Sequence, residues 1–210
     1  GVAGRTVCEQ GKILSFRNIS CLNIRVARQK KDCAVDLLPW LMQEADIYNT
    51  LILSPPGVGK TTMLRDCIRL LSEGNCEMPG KKVGVVDERS EIAACFYGVP
   101  QNDLGARTDV LDACPKVEGM RLLLRSMSPQ VLAVDELGSR EDFLAVEEAL
   151  HCGCRILGTM HAANAAELQE KKYLSEWLEK GFFGRFVFLA LGEHGMRKFS
   201  VYDGRLQKLC

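Results

Sequence analysis

The stretch Leu51–Thr62, LILSPPGVGKTT, constrains this chain more than any other. It starts as an apolar run, turns through two prolines and two glycines, and ends in Lys-Thr-Thr ahead of the helix-like segment RDCIRLL. Strand, Gly-rich loop, lysine, hydroxyl and helix, in that order, are what a phosphate-binding loop requires. Glycines let backbone N–H groups turn inward around phosphate oxygens. The following helix adds unpaired donors and partial positive charge at its N-terminus. The usual pattern is G-x-x-x-x-G-K-[ST], and here Ser54 stands at its first position. Pro55, Pro56, Gly57, Val58, Gly59, Lys60 and Thr61 fit the remainder, with Thr62 next to them. An ordinary Gly/Pro turn would explain the glycines but not the Lys-Thr pair in register. Lys60 is expected to reach the outer phosphates, and the Thr61 hydroxyl to sit on Mg²⁺.

The 210 residues suffice for one sizeable core with a small appended piece. Lys+Arg and Asp+Glu are both 27, so no global positive charge favours nucleic acid as a main partner. No apolar run approaches the ~20 residues of a membrane span, and no signal peptide opens the chain. It begins Gly-Val-Ala without Met, as a trimmed chain would. Ten cysteines are scattered with no C-x-x-C pair. They read as small buried hydrophobes of a reducing cytoplasm, not as a disulfide framework.

Residues 1–28 read as β: Arg5–Glu9 and Lys12–Phe16 around the turn Gln10-Gly11, then an alternating strand Cys21–Ala27. They look like the end of a domain whose beginning is missing, or an edge added to the main domain. This places a boundary near residue 35, with the main domain over 36–210. Asp36 is expected to cap a short helix over Leu37–Ala45. A strand over 49–54 and a helix over 60–72 come next, the helix burying Met63, Leu64, Cys67, Ile68 and Leu71. Val83–Val86 is a short strand ending in Asp87-Glu88-Arg89. Residues 90–116 carry few regular signals, which in a compact domain marks a functional or mobile stretch. Then come a helix Val117–Ser126, a strand Val131–Val134, a capping box at Ser139 and Asp142, and a helix over 141–151. A strand Arg155–Met160, a helix over about 165–180 and a terminal antiparallel pair, Phe183–Leu191 with Met196–Tyr202, complete the chain.

Alternating strands and helices predict a mostly parallel sheet with helices on both faces. Ligands of such sheets bind at the carboxyl ends of the strands. Four strands end in reactive groups: Ser54, Asp87-Glu88, Asp135-Glu136 and Thr159–His161. Val131–Val134 followed by Asp135-Glu136 has the form of a Walker B strand. There Asp135 holds Mg²⁺ and Glu136 polarises the attacking water. The strand Val83–Val86, taken to separate the two Walker strands, predicts a RecA-like (ASCE P-loop) α/β fold. Glu88 is a candidate second catalytic carboxylate; a charged loop start is the lesser alternative. His161 reads either as a catalytic group or as a hydrogen-bonded histidine.

The segments GTMHAANA (158–165), VVDE (85–88) and SPQV…VDELGSRED (128–142) resemble the His box, Asp box and Walker B segment of the type II/IV secretion and pilus-retraction ATPases. Asn23–Arg28 is similar to the arginine-bearing strand of their N-terminal domain. Together with SPPGVGKTT, the set looks closest to the sporulation branch of that family. The resemblance implies a cytoplasmic, hexameric ATPase using ATP and Mg²⁺ on the mother-cell side of the channel joining mother cell and forespore, with membrane channel proteins as partners. It makes Arg25 and Arg28 candidates to contact nucleotide on a neighbouring subunit; polar faces of a half-buried strand account for them as well. It gives His161 a role in sensing or orienting the γ-phosphate. Two alternatives remain: a nucleic-acid translocase on the same fold, and a nucleotide-gated assembly module that does not hydrolyse. No basic cluster with interleaved aromatics supports the first.

Overall fold

The computed structural model describes residues 1–24, 29–44, 46–76, 78–192 and 196–210, with the backbone alone at 172 and 173. β1 (Val2–Glu9) and β2 (Lys12–Leu22) form an antiparallel hairpin around Gln10-Gly11, whose φ angles of 49° and 78° suit the tight turn. Every β2 side chain is exposed. Cys21 and Leu22 close β2 and do not open a third strand, because the pairing with β1 continues to Val2 and Ala3. Residues 25–28, and with them Arg25 and Arg28, lie outside the described residues. So do Glu193, His194 and Gly195 of the expected C-terminal turn.

α1 (Leu38–Leu41) is shorter than its sequence suggests, and Asp36 does not cap it. Leu37 is the N-cap, and Met42 turns extended at ψ 145° to form the small ladder β3 (Met42–Gln43) with β4 (Asp46–Ile47). β5 (Thr50–Ser54) leads through the Gly-rich turn into α2 (Lys60–Glu73). β6 (Val83–Asp87) and β7 (Thr108–Asp112) come next, then α3 (Lys116–Ser126), β8 (Val131–Val134) and α4 (Arg140–His151). β9 (Arg155–His161) precedes two short helices, α5 (Ala165–Glu170) and α6 (Lys172–Glu179), where one helix was expected. The break is Lys171, whose ψ of 89° is not helical. β10 (Arg185–Leu191) and β11 (Arg197–Asp203) end the fold as an antiparallel pair.

The main sheet has seven strands in the order β11-β10-β5-β9-β8-β6-β7, parallel except for β11. This is the RecA-like arrangement that the alternating pattern predicts. One detail differs. The strand between the two Walker strands β5 and β8 is β9, while β6 lies on the far side of β8. Sequence order put Val83–Val86 between them; spatial order puts the histidine-bearing strand there. β7 is also new, an edge strand inside the stretch that looked irregular.

Both sheet faces are covered, so alternate residues of each strand feed two cores. Ile52, Val83, Val85, Val131 and Leu157 pack with Met63, Leu64, Cys67, Ile68 and Leu71 of α2. Leu51, Leu53, Leu132 and Val134 pack on the other face with Met120, Leu123, Phe143, Val146 and Trp177. Of the ten cysteines, all free, only Cys67 and Cys154 are buried, so the expectation of buried small hydrophobes fails for most of them. No helix among the described residues is long and apolar enough to cross a membrane.

Candidate active site at the carboxyl rim of the sheet

β5, β9 and β8 are adjacent and parallel, so their carboxyl ends open on one rim. Ser54 and His161 are register partners there. The loop after β5 carries Gly57 at φ 78° and Gly59 at φ 109°, a conformation that favours glycine at both places. Ser54 needs no such freedom. It is the buried last residue of β5, and its hydroxyl donates to Pro55 O at 2.7 Å. This explains why a serine is tolerated where the usual pattern has glycine.

Lys60 is 6% exposed and its ammonium fills the hollow of the loop. It donates to Ser54 O at 3.2 Å and Pro55 O at 3.4 Å, and lies 3.1 Å from His161 Nδ1. An ammonium can only donate, so Nδ1 is the acceptor wherever this contact is a hydrogen bond. Burial pulls the Lys60 pKa below the usual lysine value, against the opposing pull of Asp135 and Glu136. Gly59 is the N-cap of α2 and offers no side-chain cap, so no capping side chain satisfies the first-turn N–H groups.

The Thr61 hydroxyl donates to Asp135 Oδ2 at 2.7 Å. Thr159, on the intervening β9, donates to Asp135 Oδ1 and accepts the Glu136 N–H at 2.9 Å. Glu136 itself is left-handed, at φ 53°. Its carboxylate meets Arg89 Nη1 at 2.7 Å, and His161 Nε2 stands 3.6 Å away. Glu88 pairs with Lys116 at 3.2 Å, and Lys116 donates to Glu136 O at 2.7 Å. Glu88, Asp135 and Glu136 line one small hollow. Pro56, Gly57, Gly59, Lys60, Thr61 and Thr62 line the adjoining depression, into which Glu136 and His161 also face.

Asp87 has a different place. It is buried, and its carboxylate accepts the N–H groups of Glu91, Ile92 and Ala93 at 2.9, 3.0 and 2.8 Å. Arg65 of α2 grips the same loop through Ile92 O and Glu91 O, both at 2.6 Å. The residues after the Asp-Glu pair are therefore anchored from two sides. Lys116, Arg89 and Arg65 received no role from sequence reasoning, and Thr159 was placed at the rim without one. Thr159 lies within GTMH and so had a local signal; the other three are ordinary cations on a loop or helix.

The residues present suit a magnesium–nucleotide pair. A hydroxyl and a carboxylate of the kind that serve Mg²⁺ touch across β9, and a buried ammonium sits inside a Gly-rich loop that leads into a helix N-terminus.

The family model described as "Sporulation stage III, protein AA" matches residues 1–209. Stage III sporulation protein AA of Bacillus subtilis (strain 168) is 45% identical over 203 residues, which cover 97% of this chain and 66% of that protein. Among solved structures, the ATPase DotB of Yersinia pseudotuberculosis superposes with a TM-score of 0.66 at 14% identity, covering 97% of this chain and 55% of that one. The VirB11 ATPase of the Brucella suis type IV secretion system, solved with sulphate, gives 0.55 at 16% identity, covering 82% and 51%. At such identities the two structures share the fold. The chain spans about two-thirds of the curated relative's length and about half of each solved structure's.

Proposed function

Because the chain belongs to the sporulation stage III protein AA family, we propose that it is a Mg²⁺-dependent ATPase that energises or assembles the channel between mother cell and forespore. One observation carries the catalytic part: the pairing of Thr61 with Asp135 at 2.7 Å beside that of Lys60 with His161 at 3.1 Å. A phosphate cradle, a metal-type carboxylate and a histidine thus share one rim.

In this reading the loop from Ser54 to Thr62 and the Lys60 ammonium bind the phosphates. Thr61 and Asp135 hold Mg²⁺, which when bound neutralises charge on the outer phosphates. Glu136 orients the attacking water, Glu88 supplies a second carboxylate to the same hollow, and His161 orients the terminal phosphate. Catalysis is then mostly positioning and charge stabilisation. Residues 36–210 form the ATPase domain, and residues 1–35 a small N-terminal β-containing piece with its linker. Arg25 and Arg28 contact nucleotide held by an adjacent subunit of a hexamer, on the cytoplasmic side of the channel.

A second reading, a module that switches on nucleotide without hydrolysing it, draws on one observation. The Glu136 carboxylate is already engaged by Arg89 at 2.7 Å. Calorimetric titration of the chain with Mg-ATP, beside Lys60→Met, tests the shared premise. Binding that is lost in the variant supports a nucleotide site at this rim. Equal binding by both proteins contradicts it.

A further inference from the structure

The β10–β11 hairpin brings a cation to the phosphate loop that no motif announces. β10 runs parallel to β5, and the two pair from Arg185–Thr50 to Phe188–Leu53. β10 then continues through Leu191, so its end passes beyond β5 and beside the loop. Leu191 is paired with Arg197, the first residue of β11. The Arg197 side chain folds over Gly59: a Cβ built there would stand 2.5 Å from its Cζ and 2.6 Å from Nη2. Glycine at 59 therefore serves two needs, the backbone at φ 109° and the room for this guanidinium.

The placement sets one positive charge beside others, with Glu91 and Glu136 in the lining of the same depression. Arg197 is exposed and makes no ion pair among the described residues. It sits against the uncapped N-terminus of α2, whose partial charge is positive, on the same loop that holds Lys60. Like charges gather where a bound anion would relieve them. A guanidinium also presents a fork of donors that matches phosphate oxygens. The two cations border one depression and make different contacts. Lys60 points to Ser54 and His161, toward the carboxylates. Arg197 borders both the loop depression and a second one lined by Cys33, Asp36, Met63 and Phe199.

We propose that Arg197 is a second phosphate-binding residue of this site, acting from the same chain and reaching the phosphates from over Gly59. The proposal rests on the reading of the rim as a nucleotide site. It is tested by calorimetric titration of the whole chain with Mg-ADP, for the wild type, Arg197→Ala, Arg197→Lys and Lys198→Ala. Lys198 is the neighbouring exposed cation and controls for general charge.

The expected result is a loss of affinity of at least about tenfold in Arg197→Ala. Partial recovery is expected in Arg197→Lys, and a change under about threefold in Lys198→Ala. The thermal midpoint of the nucleotide-free protein should not move. Unchanged or tighter binding by Arg197→Ala overturns the proposal, as does an equal loss in Lys198→Ala. Wild-type protein that binds no Mg-ADP fails at the earlier step and removes the nucleotide reading itself.

Discussion

The Thr159 hydroxyl accepts the Glu136 N–H at 2.9 Å, locking β9 to the turn after β8. The same hydroxyl donates to Asp135. It fixes both acids at once and helps hold Glu136 at its left-handed φ of 53°. Thr159→Val keeps the shape and removes both bonds. We expect a stability loss of about 1–3 kcal/mol in urea titration. ATP turnover should fall at least about tenfold through misplacement of Glu136, with Mg-ADP affinity nearly kept.

Asp87 is an anchor for the loop beyond it. Its buried carboxylate accepts three consecutive N–H groups, from Glu91 to Ala93. Asp87→Ala leaves those donors without it. The expected cost is about 2–3 kcal/mol, from charge-assisted bonds in a buried setting. Hydrogen exchange should quicken at 91–93 well before the sheet strands respond.

Lys60 gives a pH signature. Burial depresses its folded pKa below 10.5, so the folded protein releases this proton before the unfolded chain does. Between the two values the unfolded state binds more protons, and stability rises with pH. The cost of burying the ammonium is present below that window and relieved through it. Nucleotide affinity moves the opposite way over the same window, because the uncharged amine no longer attracts phosphate. Subtracting the profile of Lys60→Met should isolate both trends below pH 10.5.

The cysteines divide by environment. Burial pushes the Cys154 thiol up to about 12 and the Cys67 thiol higher still. Iodoacetamide on the native protein should label the exposed Cys8, Cys21, Cys76 and Cys152 and spare those two. Labelling of Cys67 or Cys154 at the rate of Cys152 would contradict this packing.

How far the sequence could be read depended on whether a feature is local. The apolar face of α2 comes from spacing, and all five expected residues are buried. The capping box is local too: Asp142 N donates to Ser139 Oγ at 3.1 Å, and Ser139 N to Asp142 at 3.0 Å. Strand order is not local. Nothing along the chain says that β9 slips between β5 and β8, because hydrophobic runs specify burial and not neighbours. β7 was hidden by its own chemistry: an edge strand with Asp109 and Asp112 looks like loop. Arg197 had no signal, since its meaning comes from a hairpin that pairs with β5.

Hydrolysis at this rim is measured by phosphate release with Mg-ATP. Wild-type protein and Glu136→Gln would be compared across a protein concentration series, with nucleotide binding measured on both. Turnover is expected to increase more than linearly with wild-type concentration, as a site completed by a neighbour requires. In Glu136→Gln, turnover should fall to background while binding is kept. Equal phosphate release by wild type and variant, or none by a wild type that still binds ATP, would contradict hydrolysis at this rim.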